Sequence, residues 1–213
     1  MPICRPQEFV ELVRPLVEGG DVSALAAAVG ARWSSKDICP LLFDDEKETR
    51  QVASVVLGLV GDRGCVGCLA RALHDPCPCV AEFAEHALWS VWFRLGAPCA
   101  AEAFSKGAGL LCADKPEQAL ACFKRAIAAD SSFAEAYNQA AICMCMLGRY
   151  EQCLAFCDQA IERMPVHFGA VAGKGHALVH LQRVREGVQA YREAVQINPQ
   201  MSAIKAAIKK YEC

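Results

Sequence analysis

Fourteen cysteines and five histidines are the residues of this 213-residue chain with the most chemistry to offer. Their spacing decides which chemistry is open to them. Cys65-x-x-Cys68, followed by Cys77-Pro78-Cys79 with His74 nearby, is the strongest metal-like set. A structural zinc site takes four soft ligands that converge tetrahedrally, often as two close pairs. Here the second pair has a single intervening residue, and Cys65 and Cys68 fall on apolar helix positions, so packing plus a turn competes with metal binding. A redox role for Cys65-x-x-Cys68 lacks the strand-and-helix setting of a thioredoxin-like motif. His176 and His180 lie one helical turn apart on one face. Ala177 follows His176 where a metalloprotease helix needs a glutamate as general base, so that reading fails. A metal held by the two histidines with Cys112 or Cys145 competes with simple contact to a ligand. Gly173-Lys174-Gly175 lies within a helical pattern, and neither a phosphate loop nor a nucleophile elbow is present. No catalytic residue and no cofactor is expected.

The elements that carry these residues are set by a repeat of 34 residues. Steps of 34 link Ala126, Ala160 and Ala194; Gly107, Ala141 and Gly175; Leu120, Leu154 and Val188. Three copies follow without a gap, at 100–133, 134–167 and 168–201. Within the middle copy stand Tyr137, the small residue Ala141, the turn Leu147-Gly148 with Tyr150, then Ala160 and Pro165; Pro199 recurs one period later. This pattern resembles the tetratricopeptide repeat. The resemblance implies an all-α fold, a right-handed α-solenoid of antiparallel helix pairs, with a segment at 202–213 as capping helix. In that cap Met201, Ile204, Ile208 and Tyr211 share one face, and Lys205, Lys209 and Lys210 another.

The N-terminal half reads as helices over Gln7–Glu18, from Asp21 as N-cap to Gly30, and from Ser34 or Ser35 to near Leu42. A second period of 31 pairs Asp44 with Asp75, Ala53 with Ala84 and Leu57 with Leu88. Together with Arg50 and Gly61-Asp62, these residues are similar to HEAT repeats of the short bacterial type, over roughly 21–95. Ala81 stands where Arg50 would recur, so an Asp/Arg ladder is not continuous. The expected domains are a HEAT-like one at 1–97 and a tetratricopeptide one at 98–213. Leu88, Trp89, Trp92 and Phe93 are expected to join them.

The tetratricopeptide resemblance implies a peptide-binding concave groove lined by the first helix of each repeat. Carried over by position, its residues are Phe104, Ala108 and Leu111; Glu135, Asn138, Ile142, Cys145 and Met146; Ala172, His176, Val179 and His180. Asn138 is the neutral amide suited to gripping a peptide backbone. The subfamily that clamps C-terminal carboxylates needs Lys, Asn and basic residues at places that here hold Phe104, Ala108, Gln139, Gly169 and Gly173. An apolar helix or extended segment is therefore the expected ligand. Another element of the chain, or a second copy through self-association, is the alternative occupant.

Composition narrows the classes further. A formal charge of −2 gives no electrostatic case for nucleic acid. No apolar run reaches the roughly 18 residues of a membrane span. Acids and prolines occupy the start where a secretory signal needs a basic and then an apolar stretch, so a cytoplasmic protein with reduced thiols is expected. Cys153 takes the place of Ala119 and Gly187, and Cys157 that of Phe123 and Tyr191, as small hydrophobes. The leading expectation is a non-enzymatic adaptor that binds a protein. Two others stand beside it: a subunit or enzyme related to HEAT-repeat bilin lyases, by fold analogy alone, and a cysteine-based metal- or redox-responsive protein.

Overall fold

The computed structural model describes residues 4–212. Among these residues the chain forms thirteen α-helices and two short 3₁₀ segments, with no strand. It divides into two compact units, 1–93 and 94–213.

The first unit contains α1 (Pro6–Glu18), α2 (Val22–Gly30), α3 (Ser35–Ile38), α4 (Lys47–Val60), α5 (Val66–Ala72) and α6 (Pro78–Arg94). Punctuation set by the sequence is visible at the join of α1 and α2. Gly20 adopts φ 69° after α1, and the Asp21 carboxylate accepts the Ala24 N–H at 2.9 Å as the cap of α2. Phe9, Val13, Leu25, Val29 and Trp33 are buried, with Phe9 edge-on to Trp33 at 5.6 Å. The α4–α6 contact is close because a Cβ on Gly58 would lie 3.0 Å from the Ala87 Cα. Arg50 provides a polar fastening across this unit. Arg50 Nε donates to Asp75 at 2.7 Å and Nη2 at 3.3 Å, while Nη1 reaches the carbonyls of Asp44 and Asp45. The Arg50–Asp75 rung is thus formed once, at the step where the arginine is present.

The second unit contains α7 (Pro98–Cys112), α8 (Pro116–Ala129), α9 (Ala134–Met146), α10 (Tyr150–Arg163), α11 (Phe168–His180), α12 (Val184–Ile197) and α13 (Ser202–Glu212). Each repeat is a hairpin of two helices, and the hairpin turn is the same three times. Asp114, Gly148 and Gln182, spaced by 34, take φ of 54°, 68° and 62°. The next N–H in each case (Lys115, Arg149, Arg183) bonds the carbonyl of Leu110, Met144 or Leu178. This Schellman closure satisfies carbonyls that the helix end leaves open. Only the middle repeat supplies the glycine that the left-handed conformation favours.

Inside each hairpin a small residue on the first helix meets a larger one on the second. A Cβ at Gly107 would fall 2.8 Å from the Phe123 ring, and one at Gly175 would fall 2.4 Å from the Tyr191 ring. In the middle hairpin the same two places hold Ala141 and Cys157, both buried. α13 lies on α12 with Ile204 buried and Met201 and Ile208 against the same cluster. Tyr211, expected on that face, is exposed.

Candidate functional site

The exchange of an aromatic ring for a thiol at position 157 has a consequence on the surface. A sulfhydryl is several carbon atoms smaller than the rings of Phe123 and Tyr191, and the space beside it stays open. A cavity of about 310 Å³ lies there, lined by Asn138, Ala141, Ile142, Cys145 and Met146 of α9, Cys153 and Cys157 of α10, and Gly173 and His176 of α11. Its floor is buried Cys153 and Cys157, and its rim is Ile142 and Met146, which are 39% and 49% exposed. Gly173 lets α11 come close at the edge: a Cβ there would stand 3.1 Å from the Cys157 sulfur.

Two thiols of this cavity, Cys145 and Cys153, are poor nucleophiles. Cys145 bonds Cys153, and that contact together with burial raises the Cys145 pKa. At Cys153 the Cys145 hydrogen bond favours the thiolate, but contact with Cys157 and burial outweigh it and push the pKa up to about 12. Such groups act as small apolar surface.

The structure corrects several expected groove residues. Phe104 is buried, stacked at a tilt on Phe133 at 4.6 Å and on Phe123 at 5.6 Å. Ala172 and Val179 are buried too, Val179 beneath the hairpin contact at Gly187. Glu135 is 1% exposed and points inward. Its carboxylate accepts from His167 Nε2 at 2.7 Å, Gln139 Nε2 at 2.6 Å and Asn138 Nδ2 at 3.2 Å. His167, fully buried, caps α11: its Nδ1 accepts the Ala170 N–H at 3.1 Å. Because Nδ1 is an acceptor, the ring proton is on Nε2, and a neutral imidazole donates to the Glu135 carboxylate. Asn138 therefore spends its amide nitrogen on Glu135, and only its edge reaches the cavity. Ala108, Leu111 and Cys145 are half-buried, while Ile142, Met146, His176 and His180 face outward.

The two histidines are held apart by separate partners. His180 stacks on Tyr150 at 4.3 Å with rings nearly parallel, and His176 Nδ1 meets the Tyr191 hydroxyl at 2.8 Å. Partial burial, and second the neighbouring His180, lower the His176 pKa below its ordinary value. The proposed cysteine quartet is likewise dispersed. Cys65 bonds the Asp62 carbonyl, Cys68 pairs with Cys39, and Cys77 and Cys79 touch each other. No group of three or more potential metal ligands converges among the described residues.

Comparison with known proteins agrees with the repeat geometry. Two profiles described as tetratricopeptide repeat match residues 110–175 and 170–201. Residues 110–201 are tetratricopeptide repeats. No curated protein matches the sequence. Among solved structures, the second tetratricopeptide domain of human RPAP3, in complex with the HSP70 peptide SGPTIEEVD, is 25% identical with a TM-score of 0.52; the match covers 54% of this chain and 95% of that one. The TPR2B domain of yeast Sti1, in its pHsp70 complex, is 20% identical with a TM-score of 0.52, over 55% of this chain and 98% of that one. YrrB, described as a tetratricopeptide protein with an unusual peptide-binding site, is 18% identical with a TM-score of 0.50, over 98% of this chain and 92% of that one. The last two show the fold alone. Both profile matches fall in the second unit, so the HEAT-like reading of the first rests on its sequence.

No single signal in the sequence pointed to the Glu135–His167 pair. Both residues nevertheless break the tetratricopeptide pattern at one register: Glu135 replaces Ala101 and Gly169, and His167 replaces Phe133 and Met201.

Proposed function

We propose that the tetratricopeptide unit is a non-enzymatic protein-binding module that takes one apolar side chain of a partner helix or extended peptide into the cavity between α9, α10 and α11. The observation that carries this reading is the cavity floor at Cys153 and Cys157, apolar and open because no ring fills it as Phe123 and Tyr191 do in the other repeats. A space of about 310 Å³ holds one aliphatic or aromatic side chain with room for its backbone at the rim. Ile142 and Met146 supply the flexible apolar lips such an anchor needs. HSP90 and HSP70 peptides occupy related repeats in other proteins, which supports a peptide as ligand class. The anchor chemistry proposed here differs from a carboxylate clamp. Phe104 and Gln139 stand at clamp positions and are buried, and Ala108, Gly169 and Gly173 offer no charge.

The test is a selection from a random peptide library on the reduced protein, followed by affinity measurement on the best binder. An apolar anchor is expected, whose replacement by Ala weakens binding at least ~10-fold, the order of a buried side chain's transfer energy. Ala141→Gly/Cys157→Phe, which rebuilds the closure of the neighbouring repeats, should abolish it, as should Ile142→Glu/Met146→Glu. Binding that survives both variants, or that depends on the peptide's terminal carboxylate, sinks the proposal.

A further inference from the structure

The first unit carries a pair of thiols that the binding reading does not use. Cys77, Pro78 and Cys79 open α6. The Cys77 carbonyl accepts the N–H groups of Val80 and Ala81, so Cys77 stands at the cap, Pro78 at the first helical place and Cys79 just inside. This turn brings the two sulfurs to 3.1 Å, closer than ordinary non-bonded sulfur contact. The backbone around them is held. Asp75, clamped by Arg50, accepts the Cys77 N–H at 2.8 Å, and Gln51 Nε2 reaches the Cys79 sulfur at 2.9 Å. Neither thiol is sealed in the core; both are half-buried.

We propose that Cys77 and Cys79 form an oxidation-sensitive dithiol that hydrogen peroxide closes into an intramolecular disulfide. The Cys77 sulfur, as thiolate, attacks one peroxide oxygen; the O–O bond breaks, Cys77 becomes a sulfenic acid, and the hydroxide released takes up a proton as water. The Cys79 thiol then gives up its proton and attacks the Cys77 sulfur. The S–O bond breaks, the second water leaves, and the S–S bond forms. Two thiols lose two hydrogens and one peroxide becomes two waters.

The surroundings assign the roles. The hydrogen bond from Cys79, followed by the Val80 N–H at the start of α6 and more remotely the charge of Lys47, lowers the Cys77 pKa below its ordinary value. Among the facing charged groups Asp75 is neutralised by Arg50. Elsewhere burial drives thiols the other way, Cys65 and Cys143 to about 11. The attacking group is thus Cys77 and the resolving group Cys79.

The experiment treats the reduced full chain with increasing hydrogen peroxide, blocks remaining thiols with iodoacetamide and digests with trypsin. Cleavage after Arg71 and Arg94 isolates a peptide whose only cysteines are Cys77 and Cys79. Free thiols should fall from the fourteen of the sequence to twelve before other cysteines react, with the 72–94 peptide unalkylated, lighter by two hydrogens and restored by dithiothreitol. In Cys79→Ser, dimedone should trap a sulfenic acid on Cys77; in Cys77→Ser, Cys79 should stay unlabelled at the same dose. The proposal is overturned if the wild-type peptide stays fully alkylated while other cysteines oxidise, or if Cys77 ends in a cross-link to another peptide. Equal dimedone labelling of the two variants would overturn the assignment of roles. The wild-type map needs no variant to fold.

Discussion

Repeats one and three close their hairpins with a glycine against an aromatic ring, Gly107 on Phe123 and Gly175 on Tyr191, whereas repeat two closes with Ala141 on Cys157. The difference shows that one repeat frame can be filled in two ways. Where the ring is present the hairpin is sealed; where it is missing the frame keeps its helices and opens a cavity. The same middle repeat also carries the polar cluster of Glu135, Asn138, Gln139 and His167, at places where its neighbours have small or apolar residues. The open packing and the buried polar cluster thus fall in the same repeat, the one that departs from the others.

The largest expected effect comes from removing the charge at the centre of that cluster. Glu135→Ala strands the neutral His167 and Gln139 donors in a dry interior, and each buried donor left unsatisfied costs about 1–3 kcal/mol. Urea unfolding should show it, while Ala101→Gly at the matching place of repeat one should cost about 1 kcal/mol or less. If the two changes cost the same, the middle repeat is not special.

The next effect sharpens the hairpin contrast. Gly175→Ala places a methyl against the Tyr191 ring, and overpacking of this kind costs about 1–3 kcal/mol against a gain in helix propensity of about 1 kcal/mol. A net loss of thermal stability is expected. Ala141→Gly relieves no ring contact; it loses about 1 kcal/mol of helix propensity and about 0.8 kcal/mol for the buried methyl, both in the destabilising direction. Equal and opposite shifts at the two sites, as propensity alone would give, would break the comparison.

The smallest effect concerns His176 at the cavity edge. Its folded pKa is depressed, first by partial burial and then by His180. The unfolded chain therefore binds a proton more readily, so the His176 contribution is fully present above the ordinary value of about 6.5 and is lost as pH falls toward the folded pKa. A proton-resonance titration of the ring should have its midpoint below that value, and His180→Ala should move it upward. Tyr191 stays protonated, its pKa raised to about 12 by burial, and holds the ring through Nδ1.

Much of the fold was legible because a repeat states its own frame. The period of 34 placed α7 to α12, and Asp21, Gly20 and the turn at Gly148 marked ends that the backbone respects. Side-chain direction was less legible. Carrying groove positions over by register treats the second residue of each repeat as concave, but a glutamate is long enough to turn toward the next repeat if a donor waits there, and His167 does. Phe104 was read as groove by the same rule, while its ring had a better place between Phe123 and Phe133. The cavity itself was written in the substitution of Cys157 for an aromatic residue. Its meaning needed the opposite wall, Gly173 and His176, which only the folded chain brings near. Cys65 and Cys77 looked close in sequence, yet the helix between them turns Cys65 and Cys68 toward Cys39 and leaves the other pair at the surface.

The Glu135–His167 bond reaches from the first helix of repeat two to the cap of repeat three. In a stack whose members touch only their neighbours, such a bond is a coupling energy between adjacent units rather than a property of either. It makes the order of the repeats matter: moving repeat two to the end of the array would set His167 before α13 instead of α11, the helix whose first turn it now caps. The two repeats should accordingly open together in native-state hydrogen exchange, with amides of α9 and α11 sharing one opening free energy while those of α7 exchange sooner.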